Sequence, residues 1–273
     1  MTLPPESPSD ARPIGVFDSG VGGLSVLKAL RAELPAEDFV YLADRAYAPY
    51  GERGGDVLIE RARALTHYLL THHHIQLLVM ACNTATAAAI QVLRREFPSL
   101  PIVGVEPALK PAAALSQTKH IGVMTTRATL ASAKFQALLA SVADLATFVC
   151  QPCDGLADAI ERQETSKIIA LCASYTGAMG RFGTQQGDID TVVLGCTHYP
   201  LAKSMLATLL CQGVQLVDNG DPVARQTRRL VGNPAHPARA GRLILLSTGA
   251  TSTVQNAANH WLAVQTPVAH AAI

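Results

Sequence analysis

The sequence is short of net charge, of aromatic side chains and of long apolar runs, and each shortage excludes a class of protein. Its 22 Lys and Arg against 21 Asp and Glu leave a formal charge of +1, which provides no electrostatic footprint for nucleic acid or an anionic membrane. Aromatic residues make up only 5% of the chain, so stacking platforms for single-stranded nucleic acid are not expected. No apolar run reaches the roughly 18 residues of a membrane-spanning helix.

Cysteine is also scarce, since six in 273 residues are too few for a disulfide scaffold. The segment Met1–Pro13 holds four prolines and lacks the basic and apolar regions of a signal peptide. We therefore expect a flexible tail and a cytoplasmic protein with reduced thiols. Hydrophobic residues, at 49%, suffice for a sizeable core in one or two domains, with a small molecule as the expected ligand.

Short apolar segments alternate with longer amphipathic ones along the chain. The predicted strands are Ile14–Phe17, Phe39–Leu42, Leu77–Ala81, Ile102–Val105, His120–Met124, Thr147–Val149, Thr191–Leu194, Gln215–Val217 and Leu243–Ser247. The predicted helices are Gly22–Glu33, Gly55–His73, Thr84–Phe97, Thr129–Ser141, Gly155–Gln163, Ser166–Phe182, Leu201–Leu210 and Asp221–Val231. This alternation predicts an α/β fold of mostly parallel sheets flanked by helices, with ligands at the carboxyl ends of strands.

Two segments of the first half are echoed in the second half in the same order. Ile14–Val16 resembles Ile121–Val123, and Leu78–Thr84 resembles Val192–His198. In the longer segment, an apolar strand ends in a small residue, a cysteine and two polar residues. The echoes predict two similar lobes, each presenting one thiol to a cleft between them.

Two thiols facing one cleft suit the inversion of a tetrahedral carbon by proton exchange. One sulfur removes hydrogen as a thiolate, and the opposite sulfur delivers hydrogen as a thiol. We expect Cys82 and Cys196 to lie near helix N-termini, which lower a cysteine pKa. Asp18, His198 and Asp44 follow or flank the strand ends and are candidates to assist the thiols.

Other features favour plainer interpretations. The turn Gly20–Gly23 lacks the third glycine of a dinucleotide fingerprint, and a carboxylate or amino-acid site is favoured over a nucleotide. His72–His74 has no partner at metal-ligand spacing, and Cys150–Cys153 is a single CxxC pair. Cys172 and Cys211 are interpreted as packing residues. We therefore expect no metal and no cofactor.

Five segments together resemble the glutamate racemase family over roughly Ile14 to Gly249. They are Ile14–Leu24, Asp44 with Ala48–Gly51, Ala81–Ala85, Gly104–Ala112 and Gly195–Leu201. The resemblance implies cofactor-independent interconversion of L- and D-glutamate that supplies D-glutamate for peptidoglycan. It also implies a first lobe of residues 1–103 and 217–273, and a second lobe of residues 104–216. The expected partner is the glutamate substrate. Neither nucleic acid nor a membrane is expected as a partner, and a homodimer is possible.

The resemblance also implies roles for individual residues. Cys82, assisted by Asp18, would take the α-proton of D-glutamate, and Cys196, assisted by His198, that of L-glutamate. The implied substrate contacts are Asp18, Ser19, Tyr50, Gly51, Asn83, Thr84, Thr197 and His198. Asp154 and Ala250 depart from the family pattern, and no role is assigned to Asp44 or Glu161.

Three alternatives remain beside this interpretation. A related two-thiol racemase would act on aspartate or another carboxylate. A cysteine hydrolase would use Cys82 with His198 and would not need Cys196. A non-catalytic amino-acid-binding module would need neither thiol.

Overall fold

A computed structural model describes residues 12–232 and 240–273. Most of the expected tail, residues 1–11, lies outside the described residues. The strands are β1 Ile14–Asp18, β2 Phe39–Ala43, β3 Leu77–Met80, β4 Ile102–Gly104, β5 His120–Thr125, β6 Thr147–Pro152, β7 Thr191–Leu194, β8 Gln215–Val217, β9 Leu243–Ser247 and β10 Val268–His270. The α-helices are α1 Leu24–Glu33, α2 Gly55–His73, α3 Asn83–Glu96, α4 Leu109–Leu115, α5 Arg127–Ala131, α6 Ala133–Ala140, α7 Leu156–Glu161, α8 Thr165–Met179, α9 Lys203–Leu209, α10 Gly220–Val231 and α11 Thr251–Leu262.

The strands form two parallel sheets, which confirms the predicted α/β class. The first sheet has the order β10-β9-β2-β1-β3-β4, and the second has the order β6-β5-β7-β8. The four strands β2-β1-β3-β4 correspond in order to β6-β5-β7-β8. The echoed segments occupy equivalent strands, because β1 and β5 carry the shorter echo while β3 and β7 carry the longer one.

The chain passes to the second sheet after Gly104 and returns to the first after Val217. We keep the division into residues 1–103 with 217–273, and residues 104–216, as a proposal. One apolar cluster includes residues from both sides of this division, such as Leu24 of α1 and Leu156 of α7. This shared core holds the two sheets in one molecule and places their strand ends around a common cleft.

Some elements differ from the sequence expectation. The predicted helix Thr129–Ser141 is two helices, because Ser132 ends α5 and its hydroxyl accepts a hydrogen bond from Phe135 N at 3.1 Å to begin α6. The helices α4 and α11 and the strand β10 were not predicted. The strand β10 lies at a sheet edge, and two of its three residues, Ala269 and His270, are exposed and do not favour strands. Within the described ranges, no helix combines the length and apolarity needed to cross a membrane.

Candidate active site

A cleft with a volume of about 200 Å³ lies between the two sheets. Cys82 follows β3 of the first sheet, Cys196 follows β7 of the second, and both line the cleft. The two sulfurs are nearly buried, with relative exposures of 5% and 7% for their residues. The cleft is large enough for a small molecule and brings together one thiol from each of the two echoed segments.

Cys82 caps the N-terminus of α3. Its Sγ accepts a hydrogen bond from Ala85 N at 3.5 Å and lies 4.0 Å from the hydroxyl of Ser19. The predicted lowering of its pKa is wrong. Burial, and then the negative charge of Asp18, raise the pKa of Cys82 well above its usual value and outweigh the bond from the helix N-terminus. Cys82 is therefore a thiol at neutral pH.

Asp18 lies at the end of β1, fully buried beneath the glycine-rich turn. Its carboxylate accepts hydrogen bonds from Ser19 N at 2.7 Å and from Gly23 N, and Thr197 Oγ1 lies 3.5 Å from Oδ2. Burial raises the pKa of Asp18, while His198 and the backbone bonds act in the opposite direction. Asp18 does not line the cleft, whereas the other predicted site residues do; it lies behind the wall, next to Ser19 and Thr197.

Cys196 has a different local setting from Cys82. The residues after it form a bend and a 3₁₀ turn, Tyr199–Ala202, before α9 begins, so the expected α-helix N-terminus is absent there. Its Sγ lies 3.8 Å from Nδ1 of His198. His198 therefore contacts Cys196, not Cys82, which does not match the arrangement expected of the hydrolase alternative.

Glu161, to which the sequence assigned no role, contacts the other side of the imidazole. Oε2 of Glu161 lies 2.8 Å from Nε2 of His198 and accepts a hydrogen bond from Val21 N at 2.9 Å. Burial alone would lower the pKa of His198, but hydrogen bonds with Cys196 and Glu161 raise it well above its usual value. Burial would raise the pKa of Glu161, but His198, Val21 N and Arg45 together lower it. The pair is therefore a carboxylate and an imidazolium.

Nothing in the sequence reveals this pair, because Glu161 and His198 are 37 residues apart and belong to different elements. Glu161 is the last residue of α7. The amphipathic pattern of this helix explains the burial of its apolar residues and does not point to a catalytic role for Glu161. That Glu161 faces the cleft can be seen only once the fold is known.

Asp44 anchors the loop that carries Tyr50. The Tyr50 hydroxyl donates to Asp44 Oδ2 at 2.5 Å, and Arg61 pairs with the same carboxylate at 2.7 and 3.0 Å. Thr248 Oγ1 donates to Asp44 Oδ1 at 2.8 Å. Burial, followed by the charge of Asp44, raises the pKa of Tyr50 far above its usual value, so its proton is retained. The structure places Asp44 in a supporting position behind the cleft.

The remaining predicted contacts are neutral groups on the wall of the cleft. They are Ser19, Gly51, Asn83, Thr84 and Thr197. The Thr84 hydroxyl lies 3.1 Å from that of Thr126, which follows β5 of the second sheet, so these hydroxyls meet across the cleft. Asn83 Nδ2 is buried without a protein hydrogen-bond partner among the described residues. An amide of this kind is available to bind a ligand oxygen.

The glycine-rich turn fits closely against this machinery. A Cβ at Gly22 would collide with the imidazole of His198, and one at Gly20 would lie 2.6 Å from a Glu161 oxygen. These glycines allow the backbone of the first lobe to approach second-lobe side chains. The turn therefore allows close packing at the site. It is not a nucleotide fingerprint, because Ser25 stands where that motif has its third glycine.

The other cysteines are distributed through the fold. Cys153 lines the cleft and its pKa is raised by burial, Cys172 is buried on α8, and Cys211 is exposed. Among the described residues, no three His, Cys, Asp or Glu side chains are grouped so that they could hold a metal ion.

Two parallel β-sheets flanked by helices, with a cleft between them that is lined by two thiols, a histidine and a glutamate, define the class of protein as a two-lobed α/β enzyme. A family model described as Asp/Glu/Hydantoin racemase matches residues 14–227, and the chain belongs to this family. A glutamate racemase from Ectopseudomonas mendocina is 45% identical over 236 residues, covering 84% of this chain and 88% of the relative. A glutamate racemase from Pseudomonas aeruginosa strain PAO1 is 43% identical, covering 88% and 86%.

Solved structures agree with this assignment over nearly the whole chain. A glutamate racemase isoform from Bacillus anthracis superposes with a TM-score of 0.84 at 28% identity, covering 97% of this chain and 99% of its own. The Escherichia coli glutamate racemase, in complex with L-glutamate and activator UDP-MurNAc-ala, gives 0.81 at 29% identity, covering 95% and 97%. The family resemblance, the fold class and the racemase class predicted from the sequence are confirmed.

Proposed function

We propose that this protein interconverts L- and D-glutamate by a two-base mechanism that needs no cofactor. One observation carries the proposal: Cys82 and Cys196 line one cleft from different sheets, and each has its own acid–base neighbour. Asp18 adjoins Cys82, and His198 adjoins Cys196. A hydrolase needs one activated sulfur, whereas inversion of a carbon needs two groups on opposite faces.

Each turnover moves one proton in and one proton out. From L-glutamate, the Cys196 thiolate removes the α-hydrogen and leaves the electron pair on Cα. The Cys82 thiol then delivers its hydrogen to the opposite face, which gives D-glutamate, a Cys82 thiolate and a Cys196 thiol. The reverse reaction starts from this second state, so the two sulfurs exchange roles.

The resting charges favour entry from the L side. The raised pKa of Cys82 keeps it a proton donor at neutral pH, and the imidazolium of His198 lies 3.8 Å from the sulfur of Cys196, on the side of the cleft that receives the α-hydrogen of L-glutamate. Return from the D side requires that the Cys82 proton leave. Asp18, whose pKa is also raised, is the neighbour suited to receive it.

The neutral donors of the cleft suit a dianionic amino acid. Hydroxyl and amide groups of Ser19, Asn83, Thr84 and Thr197 can bind carboxylates without adding a competing base. The buried setting excludes water and strengthens these interactions as charge develops on Cα. We propose glutamate over aspartate because the curated relatives bear that name. We further propose a cytoplasmic enzyme that supplies D-glutamate for peptidoglycan.

Incubation with L-glutamate in deuterated water, without added cofactor and under reducing conditions, tests the proposal. We expect D-glutamate to accumulate with one deuterium at Cα, measured by chiral chromatography and mass spectrometry. L-Aspartate and L-glutamine serve as parallel substrates, and faster turnover of L-aspartate would favour the alternative substrate. Absence of both D-product and deuterium in every arm would refute racemisation.

A further inference from the structure

Arg45 and Glu161 meet across the cleft. Arg45 begins the turn after β2 of the first sheet, while Glu161 ends α7 beside the second sheet. Arg45 Nε lies 3.0 Å from Glu161 Oε1, with side-chain exposures of only 19% and 8%. The contact joins side chains that are 116 positions apart in the sequence and lie on opposite walls of the site.

The backbone around Arg45 is fixed on both sides. Asp44 N donates to Asp18 O at 2.8 Å, and Ala46 N donates to Thr248 Oγ1 at 3.1 Å. A Cβ at Gly249 would lie 3.0 Å from the Cβ of Arg45, so the neighbouring loop packs closely against this residue. Arg45 is therefore held at its base, and its guanidinium has a defined direction toward the cleft.

The two oxygens of Glu161 have separate partners. Oε2 contacts His198 Nε2 and Val21 N, whereas Oε1 contacts Arg45. The Arg45 N–H groups are not aligned for a hydrogen bond with Oε1, and Nη1 is buried without a hydrogen-bond partner among the described residues. The contact is thus a charge pair. Among the described residues, Arg45 is the one cationic side chain that the first lobe places against Glu161.

We infer that Arg45 is a positioning residue, which holds Glu161 from across the cleft and thereby keeps His198 oriented and charged beside Cys196. This inference rests on the proposed racemase function for its kinetic consequence, but not for its effect on His198. The Arg45 charge favours the carboxylate form of Glu161, and that carboxylate favours the imidazolium. Because the pair spans the lobes, any motion that opens the cleft also weakens the support of His198.

Several charged groups face this imidazole from the surrounding elements. Cys196 lies on its own segment, Glu161 on α7, and Asp18 at the end of β1. Arg45 contacts Glu161 and not the imidazole, but its positive charge also repels the imidazolium directly. Loss of Arg45 removes this repulsion, which alone would raise the His198 pKa, and it also frees Glu161 Oε1, so that Glu161 can turn away from the imidazole. If positioning by Arg45 is the larger effect, the pKa of His198 falls.

The test compares wild type, Arg45→Met and Arg45→Lys, with Arg63→Gln as a matched control. Arg63 on α2 pairs with Glu60 of the same helix and with Glu96 at the end of α3, away from the cleft, so its substitution also removes one cation but leaves the cleft intact. The pKa of His198 is followed by NMR with ¹³C-labelled histidine, and a His198→Gln variant assigns the signal. Racemisation is measured as kcat/KM for glutamate from pH 6 to pH 10.

In Arg45→Met we expect the pKa of His198 to fall by about one pH unit and kcat/KM to fall roughly tenfold or more. Arg45→Lys should restore part of both, and Arg63→Gln should match wild type. A His198 pKa that is unchanged or raised in Arg45→Met would overturn the inference, even if activity fell. A wild type inactive on glutamate would refute the proposed function, while the NMR titration would still decide the role of Arg45.

Discussion

His198 is held between two groups, with Nε2 at 2.8 Å from Glu161 Oε2 and Nδ1 at 3.8 Å from Cys196 Sγ. The imidazole therefore has a carboxylate on one side and the sulfur of Cys196 on the other. A carboxylate behind a histidine fixes its ring and stabilises its protonated form. This geometry links Cys196 to His198 and Glu161, while the charged neighbour of Cys82 is Asp18.

The His198–Glu161 pair should make stability depend on pH. The folded-state pKa of His198 is raised, so its contribution is complete below the unfolded value near 6.5 and is lost as pH rises through the folded value. The lowered pKa of Glu161 has the opposite sign, so its contribution is lost as pH falls. We expect Glu161→Gln to reduce the free energy of unfolding by about 3 kcal/mol near pH 6, and by less at alkaline pH. Urea unfolding at several pH values measures this, and a difference that grows with pH would contradict it.

Substitution of either cleft thiol should affect both directions equally. The enantiomers have equal free energies in water, so kcat/KM for L- and D-glutamate must fall by the same factor. We expect Cys82→Ser and Cys196→Ser each to lower it by roughly 10²-fold or more, since each removes one acid–base group. Cys211→Ser, at an exposed position, is the control and should match wild type. Near-normal turnover in either cleft variant would rule out the two-base assignment.

Asp18 should control the reactivity of Cys82. Its negative charge raises the pKa of that thiol, so Asp18→Asn is expected to lower the pKa of Cys82. Alkylation of Cys82 by iodoacetamide at pH 8, followed by peptide mass spectrometry, should become faster than in wild type, while racemisation becomes slower. Thermal unfolding checks that the variant is folded. Slower or equal alkylation in a folded Asp18→Asn protein would show that the charge of Asp18 does not act on Cys82.

The glycine-rich turn should be sensitive to a single methyl group. In Gly22→Ala the new Cβ meets the His198 imidazole, which must then move away from Cys196. We expect kcat/KM to fall by roughly 10²-fold, with the circular dichroism spectrum unchanged. Gly54→Ala is the matched control, because its Cβ would meet nothing within 4 Å and its φ of −67° suits alanine. Equal activity in the two alanine variants would mean that the turn does not position His198.

Much of the fold follows from local patterns. The strands Thr191–Leu194, Gln215–Val217 and Leu243–Ser247 and the helix Gly55–His73 have the bounds expected from hydrophobic spacing. The echo of Leu78–Thr84 in Val192–His198 predicts equivalent strands, because the same apolar run ending in a small residue favours the same packing. The strand β10 escaped prediction although the equally short β8 did not, because the exposed Ala269 and His270 are not residues that favour strands.

The sequence by itself determined the two-sheet architecture and the placement of a thiol after each of two equivalent strands. Only the tertiary structure decided which groups surround those thiols. It placed Arg45 and Glu161 beside His198 across the cleft, and it buried Cys82 so deeply that desolvation outweighs its position at a helix N-terminus. The physical reason is that periodicity encodes contacts within an element, whereas burial and charge pairing depend on residues that are distant in sequence.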